Sequence, residues 1–456
     1  MQSIIKKYIP LNKKIELFFY FDNCTIETIN SCDTPGIESE YGCLVISIIL
    51  ELKSYESLTD AAAFSRPKYL NILGIVSFLI DEPFDVFTQS SQSAKIEKQD
   101  LVSTKIEKFI YENIDKSELL SEFIDTLNKL EEYELSLIFS ILDRWRKARY
   151  LENESEESFL YDDESTLSYF HVLELLSDIY AKQLKDDADK LIKEFSENYN
   201  LDILSLSNTT LDSKNSETTK LLKSILNKDI SVYSKIIYLL KEFKLHSIET
   251  ALWIKNLIES RNSVAHGRRV YYDKAIYPVK PFYPLITNEL YSLEFLRIFI
   301  AKVICSHLKI ALLDDKWNEI KDSFITDEFT TKQFIKDSEI DIKNLSTEEQ
   351  KIIFGGLNYF IVSKKIKVIE SKHIYKFYLE TEINNKDFLA KNIDAIVLLY
   401  ESNIESIDEV LKKAIINTYK YDCNPHYKFR DLMYFLDYHN FNTPKLESLI
   451  INDEVR

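Results

Sequence analysis

Glycine and proline are scarce. Six glycines and nine prolines in 456 residues are too few turn formers for a protein of many short strands, and long helices are favoured instead. Cysteine is rare as well. Cys24, Cys32, Cys43, Cys305 and Cys423 are odd in number and show no zinc-ligand spacing, so no disulfide framework or zinc site is expected and the natural compartment is a reducing cytoplasm. His426 and His439 do not combine with Cys423 into such a pattern either. A secretion signal is missing. Lys6, Lys7, Lys13 and Lys14 precede the apolar segment 15–21, which lacks a long apolar core and a small-residue cleavage site. The most apolar long stretch, 284–313, is interrupted by Arg297, Lys302, His307 and Lys309, which excludes a simple membrane span. Positive charge is in deficit, with 57 Lys and Arg against 74 Asp and Glu and a net charge of −17. That balance argues against a protein that coats nucleic acid indiscriminately, and it leaves room for a small basic cleft. Gly355-Gly356 is not followed by Lys-Ser or Lys-Thr, so it is no phosphate loop, and no Gly-x-Ser-x-Gly is present.

What is present describes a folded chain. A hydrophobic content of 45% and an aromatic content of 13% exclude wholesale disorder, and the length suits two or three domains. Residues 1–88 are rich in β-branched and aromatic residues at Ile15 to Tyr20 and Leu44 to Leu52. Cys32-Asp33-Thr34-Pro35-Gly36 reads as a turn, and an apolar run from Tyr69 to Ile80 precedes Pro83. A small β-rich, α+β domain is expected, followed over 88–103 by a polar linker or exposed hairpin. From 104 the period turns helical: Leu119, Leu120, Phe123, Ile124, Leu127, Leu130, Leu137, Ile138, Ile141, Leu142 and Trp145 trace one stripe. Loops are expected at 152–165 and 199–216. Helices are expected from 165, then at 183–198, 217–246, 247–266 and 285–312. Beyond Leu313 a short hairpin is expected at 366–370 and 375–379, with helices at 386–401, 405–420 and 427–438. No repeat of fixed period appears. The expected fold is mainly α: a helical bundle over 104–312, a β-rich domain over 1–103, and a mostly helical accessory domain over 313–456.

One segment concentrates chemistry. Arg261-Asn262-Ser263-Val264-Ala265-His266-Gly267 closes a helical pattern in which Ala251, Leu252, Ile254, Leu257, Ile258, Val264 and Ala265 recur at helical spacing. Ser247 is a candidate N-cap, Glu249 lies in the first turn, and Gly267 is a natural stop. Arg261 falls on the apolar stripe and is expected to face inward. Asn262 and His266 are four apart, hence neighbours on one face. With ten arginines and seven histidines in the chain, an Arg followed five residues later by a His is expected about 0.15 times by chance. An arginine can hold a phosphodiester and a histidine can move its proton. Around the motif the charge balance reverses, with Lys255, Arg261, Arg268, Arg269 and Lys274 outnumbering Glu249, Glu259 and Asp273.

Arg-Asn-x-x-x-His-Gly at a helix end, inside a helical region, resembles the HEPN superfamily of ribonucleases. The combination with further domains resembles anti-phage proteins of the ApeA type and related abortive-infection nucleases. The resemblance covers about residues 104–312. It implies a metal-independent endoribonuclease, needing no cofactor, whose active site is shared across a homodimer. By matching position, Arg261, Asn262 and His266 are the implied catalytic set. RNA (tRNA, mRNA or rRNA) is the implied substrate, a phage-derived trigger or regulatory partner is expected, and residues 1–103 are expected to act as sensor. Some toxins of the family carry a tyrosine two residues after the His as a modification site. Here Arg268 stands there, and the first tyrosines are Tyr271 and Tyr272, so that control is not implied.

The stretch 268–284 combines Arg268, Arg269, Lys274 and Lys280 with Tyr271, Tyr272, Tyr277, Phe282 and Tyr283, and holds Pro278, Pro281 and Pro284. Two readings stand. The rings stack unpaired bases while the cations, with Arg268, Arg269, Tyr271, Tyr272 and Lys274 foremost, hold phosphates. Alternatively the segment is a rigid proline-bent loop packed on the bundle. His171 and Glu174 are one turn apart, and a core histidine bonded to its helix neighbour is favoured over a metal or acid–base pair. Arg144, Arg146 and Arg149 are expected on a solvated face. A non-catalytic scaffold that binds RNA or protein is the alternative function.

Overall fold

The computed structural model describes residues 2–30, 39–84, 91–95, 107–155, 161–226, 230–266, 293–321, 324–336, 346–421 and 425–451. The chain is mainly helical with an N-terminal antiparallel sheet. It divides into two compact units, one of Met1–Leu245 with Tyr291–Trp317, the other of His246–Leu290 with Asn318–Arg456. The sheet and the helices that follow it share the first unit.

In the first unit, strands β1 (Gln2–Pro10), β2 (Ile15–Phe21), β3 (Cys24–Ile29), β4 (Cys43–Glu51), β5 (Ser91–Lys95), β6 (Lys108–Tyr111) and β7 (Ile114–Asp115) form a sheet in the order β5-β1-β4-β3-β2-β6-β7. Strict alternation of buried and half-buried residues along β2 gives the sheet one covered face. Two hairpins turn on residue pairs in the left-handed region, Asp22-Asn23 and Glu112-Asn113. Such pairs match the right-handed twist of the strands they join. The polar stretch expected as a linker or exposed hairpin thus contributes β5, an edge strand on β1.

Helix α1 (Leu58–Ile80) starts at a capping box of Ser57 and Asp60 and packs on the sheet. Next come α2 (Ser117–Lys129), α3 (Glu132–Ser155), α4 (Asp162–Ile179), α5 (Ala181–Asn198), a π-helical turn at Tyr199–Ile203, α6 (Asn208–Leu226) and α7 (Val232–Glu242). After α8 (Ile248–Ala265), which belongs to the second unit, α9 (Leu293–Leu308) returns to the first. Gly74 lets α1 approach α3 closely, since a Cβ there would lie 3.2 Å from the Asp143 backbone nitrogen.

Three expectations need correction. Arg146 and Arg149 are not on a solvated face. Arg146 is buried, donates to the carbonyl of Phe84 and pairs with Asp143 at 2.8 Å, while Arg149 reaches Asp81 at 3.5 Å; only Arg144 is exposed. The loop expected over 199–216 is a π-turn running into α6. Its Ser, Asn and Thr content suggested a loop, but Asn200 is buried and donates to Asn215 at 2.8 Å, which fastens α6 to the turn. The hairpin expected at 366–379 is helical instead, as shown below.

In the second unit, α10 (Asp314–Ile320) straddles the boundary and α11 (Glu328–Lys336), α12 (Thr347–Val362), a 3-10 turn at Val368–Ser371, α13 (Lys372–Glu382), α14 (Lys386–Glu401), α15 (Asp408–Tyr421), α16 (Pro425–Tyr438) and α17 (Pro444–Ile451) follow. Ile374, Tyr375, Tyr378 and Leu379 are buried together along α13, a helical stripe that their β-branched and aromatic character disguised as strand. They join a core with Phe354, Leu357, Ile361, Leu389 and Ile396. Gly355-Gly356 is a packing device. A Cβ on Gly355 would lie 2.7 Å from Ile325, and one on Gly356 would lie 3.0 Å from Thr326 and Thr331. Among the described residues no helix is long and apolar enough to cross a membrane.

Candidate functional site

Helix α8 carries the Arg–Asn–His motif. Ser247 caps it, with its hydroxyl accepting from the Thr250 amide at 3.1 Å while the Thr250 hydroxyl accepts from the Ser247 amide at 2.7 Å. Two of the amides that a helix start leaves unpaired are thereby satisfied. Thr250, Trp253, Ile254 and Leu257 form the buried stripe. Within its own unit, the Trp253 ring meets Phe324 edge-on at 6.1 Å. Arg261 lies one turn beyond Leu257 on this stripe and is half-buried, as its register requires.

The guanidinium of Arg261 donates to the side-chain oxygen of its neighbour Asn262 at 3.0 Å. This contact turns Asn262 toward the arginine, fixing the pair as one polar unit. His266 is the C-cap, with φ −84° and ψ 11°, and its amide donates to the Asn262 carbonyl at 3.1 Å. The imidazole is exposed. The structure therefore joins Arg261 to Asn262 by side chains and Asn262 to His266 by backbone, at a helix end open to solvent. An exposed imidazole can exchange protons with a bound ligand or water. Gly267 and the implied RNA-binding residues Arg268, Arg269, Tyr271, Tyr272 and Lys274 lie outside the described residues.

The histidine–glutamate pair on α4 has a different setting. His171 and Glu174 on α4 line a cleft of about 330 Å³ in the first unit, together with Arg144, Asp178 and Lys235. Both are half-buried. Lys235 pairs with Asp178 at 2.7 Å. The one-turn spacing of His171 and Glu174 was visible along the sequence. The approach of Arg144 from α3 and Lys235 from α7 was not, because nothing local specifies which helices neighbour α4. Among the described residues no group of three or more His, Cys, Asp or Glu side chains is placed to hold a metal ion.

Comparison with known protein families, with functionally characterised proteins and with solved structures finds no match to this chain.

Proposed function

We propose that this protein is an endoribonuclease of HEPN type whose working residues are Arg261, Asn262 and His266. The observation that carries the reading is the end of α8 itself. An arginine held by its asparagine neighbour and an exposed histidine cap are brought to one helix terminus.

In this reading the neutral imidazole of His266 takes the proton from a ribose 2′-hydroxyl; histidine as a residue type titrates close enough to neutrality for that task. The 2′-oxygen attacks phosphorus, the bond to the 5′-oxygen breaks, and a 2′,3′-cyclic phosphate and a 5′-hydroxyl result. Arg261 stabilises the charge that builds on the non-bridging oxygens through its planar fork of donors. Asn262 holds the guanidinium in place. The departing 5′-oxygen needs a proton, and a second His266 from another copy supplies it when two helix ends share a cleft. Residues 1–103 then serve as sensor for a phage-derived trigger, and the setting is anti-phage defence or a toxin.

The test is cleavage of total RNA by purified protein in the presence and absence of EDTA. Cleavage that survives EDTA and disappears in His266→Ala is expected, since the proton transfer and charge stabilisation are both assigned to side chains. Intact RNA under all conditions, with RNA still bound, would favour a non-catalytic scaffold. A strict demand for added divalent metal would move the chemistry elsewhere.

A further inference from the structure

Helices α1 and α3 close on each other after Gly74 and leave a cleft before it. On the C-terminal side of the Gly74 contact, Phe78 of α1 meets Trp145 of α3 edge-on at 5.2 Å. On the N-terminal side, Arg66, Pro67, Leu70 and Asn71 of α1 and Phe139 of α3 are among the residues that line a cleft of about 530 Å³. An ordinary helix pair fills such a seam with apolar side chains. Here the wall carries polar groups that the fold does not use. Arg66 is exposed and has no ion pair among the described residues. The half-buried Asn71 amide has no hydrogen bond among them. Pro67 lies inside α1 and has no N–H, so the Ala63 carbonyl on the same wall loses its usual helical donor. On α3, Ser136 and Ser140 donate to carbonyls of their own helix at 2.7 and 3.0 Å, which leaves their oxygens facing outward requests as acceptors only.

The chemistry of the wall selects the ligand. Asp143 also lines the cleft, but Arg146 at 2.8 Å and Lys147 at 2.6 Å give it two cations. With Arg66 added, the cleft is positive in a chain of −17, and it suits an anion. A guanidinium presents a planar fork that matches a phosphate. A side-chain amide presents a donor beside an acceptor, the pattern that reads the edge of a heterocyclic base. Pro67, Leu70 and Phe139, whose ring is held edge-on to Phe21 at 6.1 Å, give a flat ring an apolar surface. The serine oxygens and the Ala63 carbonyl are acceptors for ribose hydroxyls. The volume lies within the range of about 300–1,000 Å³ usual for small-molecule clefts. At Gly74 an added Cβ would lie 3.2 Å from the Asp143 nitrogen, so the helices shut one end. A compact ligand fits this shape better than a chain running through.

We infer that the α1–α3 cleft binds a nucleoside monophosphate, with Arg66 on the phosphate, Asn71 on the edge of the base and the base against Pro67, Leu70 and Phe139. This stands whether or not the α8 motif cleaves RNA. The test is isothermal titration calorimetry of the full-length protein with the monophosphates of adenosine, guanosine, cytidine and uridine, and with inorganic phosphate and the four nucleosides as half-ligands. At least one nucleotide is expected to bind one to one with a Kd below about 1 mM, and about tenfold or more tighter than phosphate or its own nucleoside. Arg66→Ala should weaken that nucleotide about tenfold or more; the position is exposed, so the melting transition should be unchanged. Asn71→Asp keeps the shape, removes the donor, and should weaken binding about tenfold and alter the preference among the four bases. Should one of these variants fail to fold, the other carries the test. Arg144→Ala removes a cation of α3 that lines the cleft at His171 instead and should leave the affinity unchanged. No heat from any of the four nucleotides at millimolar concentration overturns the inference. So does phosphate that binds as tightly as the nucleotide, or an affinity that a folded Arg66→Ala or Asn71→Asp leaves unmoved. Nucleotide binding lost in His266→Ala would assign the ligand to α8 and overturn it as well. Loss of RNA cleavage in that variant with nucleotide binding intact is the result expected if both readings hold.

Discussion

Arg261 and His266 are five residues apart on one helix end yet live in different surroundings, and substitution should separate them. His266 is exposed, so His266→Ala should lower cleavage by about 10²- to 10⁴-fold, the usual worth of a general base, while leaving the melting temperature in place. Arg261 is half-buried and bonded to Asn262. Arg261→Lys should impair cleavage too, because a point charge does not reproduce the planar fork; a fully active lysine variant would remove arginine from the mechanism. A second residue-scale expectation concerns Asp163 in the first turn of α4. Burial, with Glu164 and Asp162 adjacent, pushes its carboxyl up to about 6, and its Oδ1 has no hydrogen bond among the described residues. A carboxyl whose folded value is raised keeps its proton when the unfolded chain has lost it. Stability therefore falls as pH rises from about 4 through about 6. Asp163→Asn should be neutral at pH 4 and stabilising by roughly 2–3 kcal/mol at pH 7.5, read by denaturant unfolding at both values; equal effects at the two would refute the assignment.

Elements show where side-chain size decides geometry. Helix α12 meets the segment before α11 through Gly356, where a Cβ would sit 3.1 Å from the Thr326 carbonyl oxygen. Alanine improves intrinsic helix propensity by up to about 1 kcal/mol. Overpacking costs about 1–3 kcal/mol, and the backbone oxygen cannot swing aside. Gly356→Ala should accordingly be net destabilising, and a higher melting temperature would show that the segment yields. The start of α8 rests on the reciprocal Ser247–Thr250 cap. Losing it through Ser247→Ala should cost about 1 kcal/mol, a change small enough that the position of the motif at the far end of the helix is unaffected.

At the scale of the first unit, a buried ion network ties together segments that are distant in sequence. Asp81 ends α1 and pairs with Arg297 of α9, with Lys316 at 2.8 Å and with Arg149 at 3.5 Å. Arg297 also meets Glu152 at 3.2 Å, and Tyr169 donates to Glu152 at 2.7 Å. Burial alone would raise the Asp81 carboxyl, but the Arg297 and Lys316 charges outweigh it and hold the value below the usual range. For a carboxylate lowered in this way, the stabilisation is present above the unfolded value and lost as pH falls through the folded one. Arg297→Ala strands Asp81 and Glu152 without their shared cation and should cost about 3–5 kcal/mol. A loss under 1 kcal/mol in chemical denaturation would mean that Lys316 and Arg149 suffice.

Local chemistry determined much of this protein before any contact was known. The dearth of glycine and proline signalled long helices. Ser247, the stripe through Ile254 and Leu257, and the inward register of Arg261 marked out α8, because capping and helical period depend only on neighbours within one or two turns. The strands at 15–20 and 44–52 were visible through their β-branched and aromatic content. Only the tertiary structure decided the rest. It carried Arg146 from an expected solvated face into the interior and brought Arg149, half-buried, to Asp81, since Asp143, Asp81 and the Phe84 carbonyl were there to receive them. Strand-like residues at 375–379 became helix because Tyr375, Tyr378 and Leu379 recur at helical spacing that fits the core. Fold also set which helices share a unit with α8 and brought Arg144 and Lys235 to His171 and Glu174. Such pairings depend on surfaces that meet across long sequence separations, and no local pattern records which surface will meet which.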